Sequence, residues 1–133
     1  MSWHSTALYY RLLNEMSEQR YGSRMNAESI VVSLPFSPLV AAMEKGDGAG
    51  VARRIAAAAG QAERAGAACI MLTAFTAHFA ADAVRRAIMV PLFDAGDALA
   101  EICLERGYAR VGLLGTAFTL ADGHVAARLN ACG

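Results

Sequence analysis

AACIMLTAFTAH, residues 67–78, is an apolar run that changes into small hydroxyl residues and a histidine. A short apolar run that ends in a polar loop is typical of a buried strand at the carboxyl edge of a parallel sheet, where α/β proteins bind their ligands. An alanine-rich helical segment closed by Gly66 precedes the run, and a second helical pattern, AHFAADAVRRAI, follows it. The order helix, strand, loop, helix predicts one βα unit with a candidate site in its loop.

The same patterns extend outward over the whole chain. Apolar and β-branched runs predict four strands, at residues 29–34 (SIVVSL), 69–72, 90–93 and 110–114 (RVGLL). Helical patterns fall at residues 2–21, 39–46, 51–65, 76–87, 95–106 and 120–130. The predicted fold class is therefore α/β, a doubly wound and mainly parallel sheet flanked by helices, in one domain.

Helix ends are marked by capping residues. Ser2, Ser5 and Thr6 can cap the first helix, which we expect to be amphipathic, and Asp94 can cap the helix at residues 95–106. The apolar residues of the first helix recur at helical spacing: Leu8, Leu12, Leu13 and Met16.

Composition limits the possible classes of protein. The chain has 133 residues, 56% of them hydrophobic, which suits one domain with a buried sheet. Twelve basic residues balance twelve acidic ones without a dense patch, so we expect no binding to nucleic acid or to a membrane surface. The start lacks the pattern of a signal peptide, and no apolar run approaches the ~20 residues that span a bilayer. We expect a cytoplasmic protein.

The cysteines are few and widely spaced: Cys69, Cys103 and Cys132. This spacing predicts neither a disulfide framework nor a zinc site, and reduced thiols fit a cytoplasm. Because Cys69 lies within a predicted strand, we expect it to be a buried apolar thiol.

Five segments carry a family resemblance, namely MSWHSTALYYRLLNEM, SLPF, TAFTAH, VPLFDAGDALAEI and RVGLLGTAFT. In this order and at this spacing they resemble the N-terminal half of the aspartate/glutamate racemase superfamily, the cofactor-independent amino-acid racemases. The resemblance implies two similar α/β domains with the substrate between them. One cysteine from each domain then exchanges the α-proton on opposite faces of the substrate, without pyridoxal phosphate, another cofactor or a metal.

The acid/base position of the family differs here. Its motif reads cysteine, asparagine, threonine, small residue, histidine, and alignment on Thr76 and His78 places Ala74 at the cysteine and Phe75 at the asparagine. Alanine has no proton to move. Thr73 should point to the opposite side of an extended segment, which makes it a weak catalytic candidate. The resemblance thus predicts a racemase-family protein, an isomerase by ancestry, that is inactive as this chain.

The resemblance also implies that the family fold extends beyond this sequence at both ends. Residues 1–93 match a first domain without its first strand, and residues 94–133 match the start of a second domain. A missing central strand leaves backbone groups unpaired, at about 1–3 kcal/mol each if they are buried. The place of the missing strand can be filled in three ways. Strands 29–34 and 69–72 pair directly with each other, another copy of the chain donates a strand, or the chain is part of a longer natural protein that supplies it. Exposed apolar surface further predicts self-association as a dimer or higher oligomer.

The candidate substrate-binding residues are Phe75, Thr76, His78, Thr116 and Thr119. In the family, the loops that match Thr76 and Thr116 hold the substrate carboxylate, helped by the dipoles of the following helices. From the residues alone, Thr76 and Thr119 are equally well explained as helix caps and His78 as a structural histidine. Phe75 would block the pocket or make it apolar.

The sequence is also compatible with two other functions. One is a non-catalytic module that binds a small carboxylate or an amino acid, or that mediates oligomeric interaction. The other is an isomerase that a partner chain completes.

Overall fold

The computed structural model describes residues 2–131, so Cys132 lies outside the described part of the chain. The α-helices are α1 to α7, the strands are β1 and β2, and one 3₁₀ helix lies between β1 and α4. Their bounds in chain order are α1 Trp3–Tyr21, α2 Phe36–Glu44, α3 Gly48–Arg64, β1 Ile70–Met71, the 3₁₀ helix Phe75–Ala80, α4 Ala81–Ala87, β2 Leu92–Phe93, α5 Ala95–Glu105, α6 Ala117–Asp122 and α7 His124–Ala131.

Two parallel strands and the long helix α3 form the centre of the fold. β1 pairs with β2 in the register Ile70 to Leu92 and Met71 to Phe93. α3 packs against α2, the 3₁₀ helix, α4 and β1. Its inward residues Val51 and Ile55 are buried one helical turn apart, as the amphipathic pattern predicts. The α/β class, the parallel sheet and the predicted strands at 69–72 and 90–93 are confirmed, the first strand over its two central residues and the second over its last two.

The predicted strand at residues 29–34 does not form. Among the described residues, no hydrogen bond between backbone groups involves this segment, and Ile30 and Val31 are 45% and 54% exposed. β propensity reflects the packing of side chains on a pleated sheet, and this segment has no neighbouring strand to pack beside. The expectation that it closes up on β1 is therefore wrong, because the described pairing of β1 is with β2.

Residues 110–114 also lack the predicted strand. No backbone pairing involves them within residues 2–131, and Leu114 is 98% exposed. The reason is the same as at residues 29–34, since an apolar run becomes a strand only where a second strand supplies hydrogen-bond partners.

Helix α1 is confirmed in its position but not in its packing. No residue described in it is buried, and the four residues of its predicted apolar face are all exposed, namely Leu8, Leu12, Leu13 and Met16. The predicted cap is also wrong in detail. Ser2 occupies the N-cap position without a capping bond from its side chain, while Ser5 donates to the carbonyl of Ser2 and the Thr6 hydroxyl lies 2.7 Å from that of Thr73.

Further details of the later part of the chain differ from the prediction. The helix expected from residue 76 begins as the 3₁₀ helix and becomes α-helical at Ala81. The last helix is divided into α6 and α7 at Gly123, whose φ of +72° ends α6 in the left-handed conformation. Cys69 lies just before β1 and is exposed, so the prediction of a buried thiol is wrong. The predicted division near residue 93 stays a prediction.

The part of the chain that the structure describes contains no helix long and apolar enough to cross a membrane.

Candidate functional site

The 3₁₀ helix that follows β1 meets α6. The Oγ1 atom of Thr76, after β1, lies 3.3 Å from Oγ1 of Thr119 in α6. Oγ1 of Thr119 lies 3.0 Å from Oγ1 of Thr116, the N-cap residue of α6. The structure thus brings three of the predicted binding residues together, and we call Thr76, Thr116 and Thr119 the threonine cluster.

Only one member of the threonine cluster caps a helix. The amide of Thr119 donates to Oγ1 of Thr116 at 3.3 Å, which is the N-cap bond of α6. The capping roles considered for Thr76 and Thr119 are wrong, because the N-cap residue of the 3₁₀ helix is Ala74, without a side-chain cap, and Thr119 lies inside α6. Each hydroxyl is both a donor and an acceptor, so the cluster can redirect its protons toward an anion.

His78, on the same 3₁₀ helix as Thr76, is buried. Its side chain is 1% exposed, and Nδ1 lies 3.2 Å from the carbonyl of Ala74 and 3.1 Å from that of Phe75. Nε2 accepts a hydrogen bond from the amide of Ala95 at 3.1 Å. In this conformation both ring nitrogens are occupied by the protein's own backbone.

The predicted acid/base position is occupied by a side chain without acid/base chemistry. Ala74 is half-buried and packs against the apolar core. The neighbouring residue Thr73 has a hydroxyl, but this hydroxyl is hydrogen-bonded to Thr6 of α1 and not to the threonine cluster. A threonine hydroxyl acts as a base or nucleophile only when an adjacent base activates it, and a second hydroxyl does not. The ring of Phe75 lies 5.7 Å from that of His78, half-buried.

Asp94 is the residue with site chemistry that the sequence reasoning missed. It directly follows β2, its side chain is fully buried, and its Oδ1 accepts from the amide of Gly96 as the predicted cap of α5. Its Oδ2 accepts from Nη2 of Arg85 at 2.6 Å and from Nε2 of His124 at 2.9 Å. Asp94 therefore joins α4, α5 and α7.

The electrostatic environment keeps Asp94 ionised. Burial raises the pKa of its carboxyl, but the hydrogen bonds from Gly96, Arg85 and His124 together with the charge of His124 outweigh that effect. The pKa of Asp94 consequently lies below the ordinary value of 3.8. Arg85 is thereby committed to a carboxylate of the protein itself, with Asp97 and Asp82 as its further ion-pair partners.

The sequence pattern predicts only one of the hydrogen bonds of Asp94, the N-cap bond to Gly96. The sequence identified Asp94 only as the cap of a helix, and Arg85 and His124 lie on helices whose contacts no local pattern predicts. Within residues 2–131, no three histidine, cysteine or acidic side chains are grouped closely enough to hold a metal ion. Every buried side-chain nitrogen and oxygen described has a hydrogen-bond partner.

The sequence and the fold of this chain are similar to those of known proteins. The sequence profile of the Asp/Glu/hydantoin racemases matches residues 1–133. A crystal structure of a candidate Asp/Glu racemase from Yersinia pestis is 33% identical in sequence and superposes with a TM-score of 0.91, covering 97% of this chain and 56% of that one. An aspartate racemase homologue from Pyrococcus horikoshii has the same identity and coverages, with a TM-score of 0.80. This chain spans about 56% of the length of each of these proteins.

Both superpositions cover nearly all of this chain. The chain belongs to the Asp/Glu/hydantoin racemase family.

Proposed function

We propose that this chain forms one half-site of an amino-acid racemase, in which the threonine cluster binds the carboxylate of a small acid and no group moves the α-proton. The observation that carries the proposal is the convergence of the hydroxyls of Thr76, Thr116 and Thr119 beside Ala74 at the acid/base position. The chain alone then binds substrate without racemising it.

The first part of the proposal rests on the chemistry of the hydroxyls. A carboxylate offers only acceptors at neutral pH, so the three hydroxyls can turn their protons toward it. Hydrogen bonds to a charged group are about twice as strong as those between neutral groups. Exchange of hydroxyl–hydroxyl bonds for hydroxyl–carboxylate bonds therefore favours binding of an acid.

The second part rests on what proton transfer requires. Racemisation needs an acid and a base on opposite faces of Cα, each within hydrogen-bond reach. Ala74 supplies neither, and the hydroxyl of Thr73 is bonded to Thr6 rather than to a base. Asp94 is held by three donors and has its pKa lowered, which makes it a weak base.

One experiment separates binding from catalysis. The purified chain is incubated with aspartate or glutamate in deuterated water, the α-proton is followed by NMR, and the melting temperature is recorded on the same sample. We expect a rise in melting temperature without α-proton exchange. A ligand at 100 times its Kd adds about 2.7 kcal/mol to the free energy of unfolding. Exchange by the chain alone contradicts the proposed inactivity, and exchange only with a second polypeptide supports an isomerase completed by a partner.

We also propose that a second copy of the chain covers the exposed surface of α1 and residues 29–34. A helix that exposes several large apolar side chains, among them Leu12 and Met16, and buries none of its described residues is unusual in a stable monomer. α1 carries a positive and a negative side chain one turn apart, Arg11 and Glu15. In an antiparallel pair of α1 helices, Arg11 of each copy can face Glu15 of the other. The net formal charge of zero removes overall repulsion between copies.

We propose a cytoplasmic location without a nucleic-acid or membrane partner and without a cofactor. The cysteines in the described residues, Cys69 and Cys103, are free, which is compatible with a reducing compartment. Detection of the native protein in a cell fraction other than the cytosol would contradict the location.

A further inference from the structure

His78 is among the largest side chains of the chain to be fully buried. It lies two residues after Thr76, in the 3₁₀ helix that carries this member of the threonine cluster. With an exposed fraction of 1%, its ring has no surface for a ligand to contact. Its role therefore follows from what it binds inside the protein.

The hydrogen bonds of His78 determine its protonation. The backbone amide of Ala95 can only donate, so Nε2, 3.1 Å away, must present a lone pair. The carbonyls of Ala74 and Phe75 can only accept, so Nδ1, at 3.2 and 3.1 Å, must carry a proton. His78 is thus a neutral imidazole of the Nδ1–H tautomer, assigned from its partners.

These bonds join two segments that are far apart in the chain. Ala95 is the first residue of α5, and its amide belongs to the helical turn whose donors have no partner within the helix. Asp94 satisfies the next amide, that of Gly96, and His78 satisfies Ala95 from 17 residues earlier. The carbonyls at the other nitrogen belong to the two residues directly before Thr76.

We propose that His78 is a positioning residue that fixes the backbone before Thr76 to the start of α5, and so keeps the Thr76 hydroxyl beside Thr119. This proposal rests on the carboxylate site proposed above, for which His78 supplies no ligand contact. Loss of the Nε2 bond leaves the amide of Ala95 without its partner at the start of α5, and loss of the Nδ1 bond releases the ring from the backbone before Thr76. Either change lets the loop of Thr76 move relative to α6.

The first test needs no substitution. Long-range proton–nitrogen correlation NMR of the wild-type chain near neutral pH distinguishes a protonated from an unprotonated ring nitrogen. We expect a protonated Nδ1 and an unprotonated Nε2 for His78. The opposite tautomer, or an imidazolium, overturns the proposal.

The second test uses two variants that each keep one of the bonds. His78→Asn places an amide nitrogen near the position of Nδ1 and removes the acceptor for Ala95, whereas His78→Gln places an amide oxygen near the position of Nε2. We expect hydrogen exchange of the Ala95 amide to accelerate about tenfold in H78N and to stay near the wild-type rate in H78Q. His4→Asn, at an exposed histidine of α1, is the matched control and leaves the rate unchanged.

The position of Thr76 is read from the nuclear Overhauser effect between the side chains of Thr76 and Thr119. We expect this signal to weaken in H78N and H78Q and to persist in H4N. Equal acceleration of Ala95 exchange in both His78 variants, or an unchanged Thr76–Thr119 signal in both, means that the ring only fills space and overturns the proposal.

Ligand binding separates this inference from the proposed function. We expect the Kd for aspartate to rise about tenfold in both variants if each bond positions the loop. If the wild-type chain binds no carboxylate, the proposed function fails, whereas the tautomer and the Thr76–Thr119 signal still decide whether His78 positions the loop.

Discussion

His124 and Asp94 are 30 residues apart in the chain, and Nε2 of His124 donates to Oδ2 of Asp94 across 2.9 Å. The same oxygen accepts from Arg85 at 2.6 Å, so one buried carboxylate links α4 to α7. A charge in such a place is costly unless donors surround it, and here they do. This link holds α7 against the core.

Substitution of Asp94 tests that link. We expect Asp94→Asn to lower the free energy of unfolding by about 3 kcal/mol, because it removes the charge that pairs with Arg85 and His124 inside the protein. Urea unfolding at pH 7 measures the change. Asp82→Asn is the control, since Asp82 is 77% exposed and its ion pair with the same arginine contributes less than about 1 kcal/mol. Equal effects of the two substitutions would contradict the role of Asp94.

The lowered pKa of Asp94 also predicts a pH dependence. Because the folded-state pKa lies below the ordinary value of 3.8, the folded state favours the ionised carboxylate. Its stabilising contribution is complete above the unfolded-state pKa and is lost as the pH falls through the folded-state pKa. We expect wild-type stability to drop steeply below about pH 4 and D94N to lack that part of the drop. Urea midpoints between pH 7 and pH 2.5 test this, and parallel curves for the two proteins would refute it.

The threonine cluster is tested at its central member. Thr119→Val keeps the shape of the side chain and removes the hydroxyl that lies near both Thr76 and Thr116. We expect a loss of about 1 kcal/mol in stability and the disappearance of the aspartate-dependent rise in melting temperature. Thr6→Val removes a hydroxyl outside the cluster and should retain the ligand effect. A ligand response that survives in T119V argues against the cluster as the carboxylate site.

Restoration of a thiol at position 74 tests whether this residue faces the substrate. We expect Ala74→Cys to exchange the α-proton of one enantiomer of a bound amino acid, because one base suffices for exchange on one face. Ala74→Ser adds a group of similar size whose hydroxyl is a poor base at neutral pH, and it serves as the control. Exchange in A74C should exceed that in A74S by about 10²-fold, measured by NMR in deuterated water. Equal rates would mean that residue 74 does not face the substrate.

Self-association is tested on α1. Leu12 is 43% exposed on this helix, and Leu12→Glu places a charge in the proposed contact with a second copy. We expect sedimentation velocity to show an oligomer for the wild-type chain and a smaller species for L12E. Gln19→Glu adds the same charge at a polar position of α1 and should leave the mass unchanged. A wild-type monomer at all concentrations contradicts the proposed contact.

Local patterns predicted those elements whose partners also lie in this chain. The helix α3, the strands β1 and β2 and the Asp94 cap of α5 each appear where expected. Helix periodicity and capping depend on neighbours a few residues away, so local patterns predict them. The segments at 29–34 and 110–114 have equally strong strand patterns and no pairing. A strand is completed by another strand, and no local pattern reports whether that strand is present.

The sequence by itself determined the family, the α/β order and the residue types of the site, including the alanine at position 74 and the threonines at 76, 116 and 119. Only the tertiary structure decided that those threonines meet, that His78 turns both nitrogens to the backbone, and that Asp94 joins Arg85 to His124. Spacing along the chain determines local hydrogen bonds and helical faces, whereas contacts between distant residues depend on how the helices pack around the two strands.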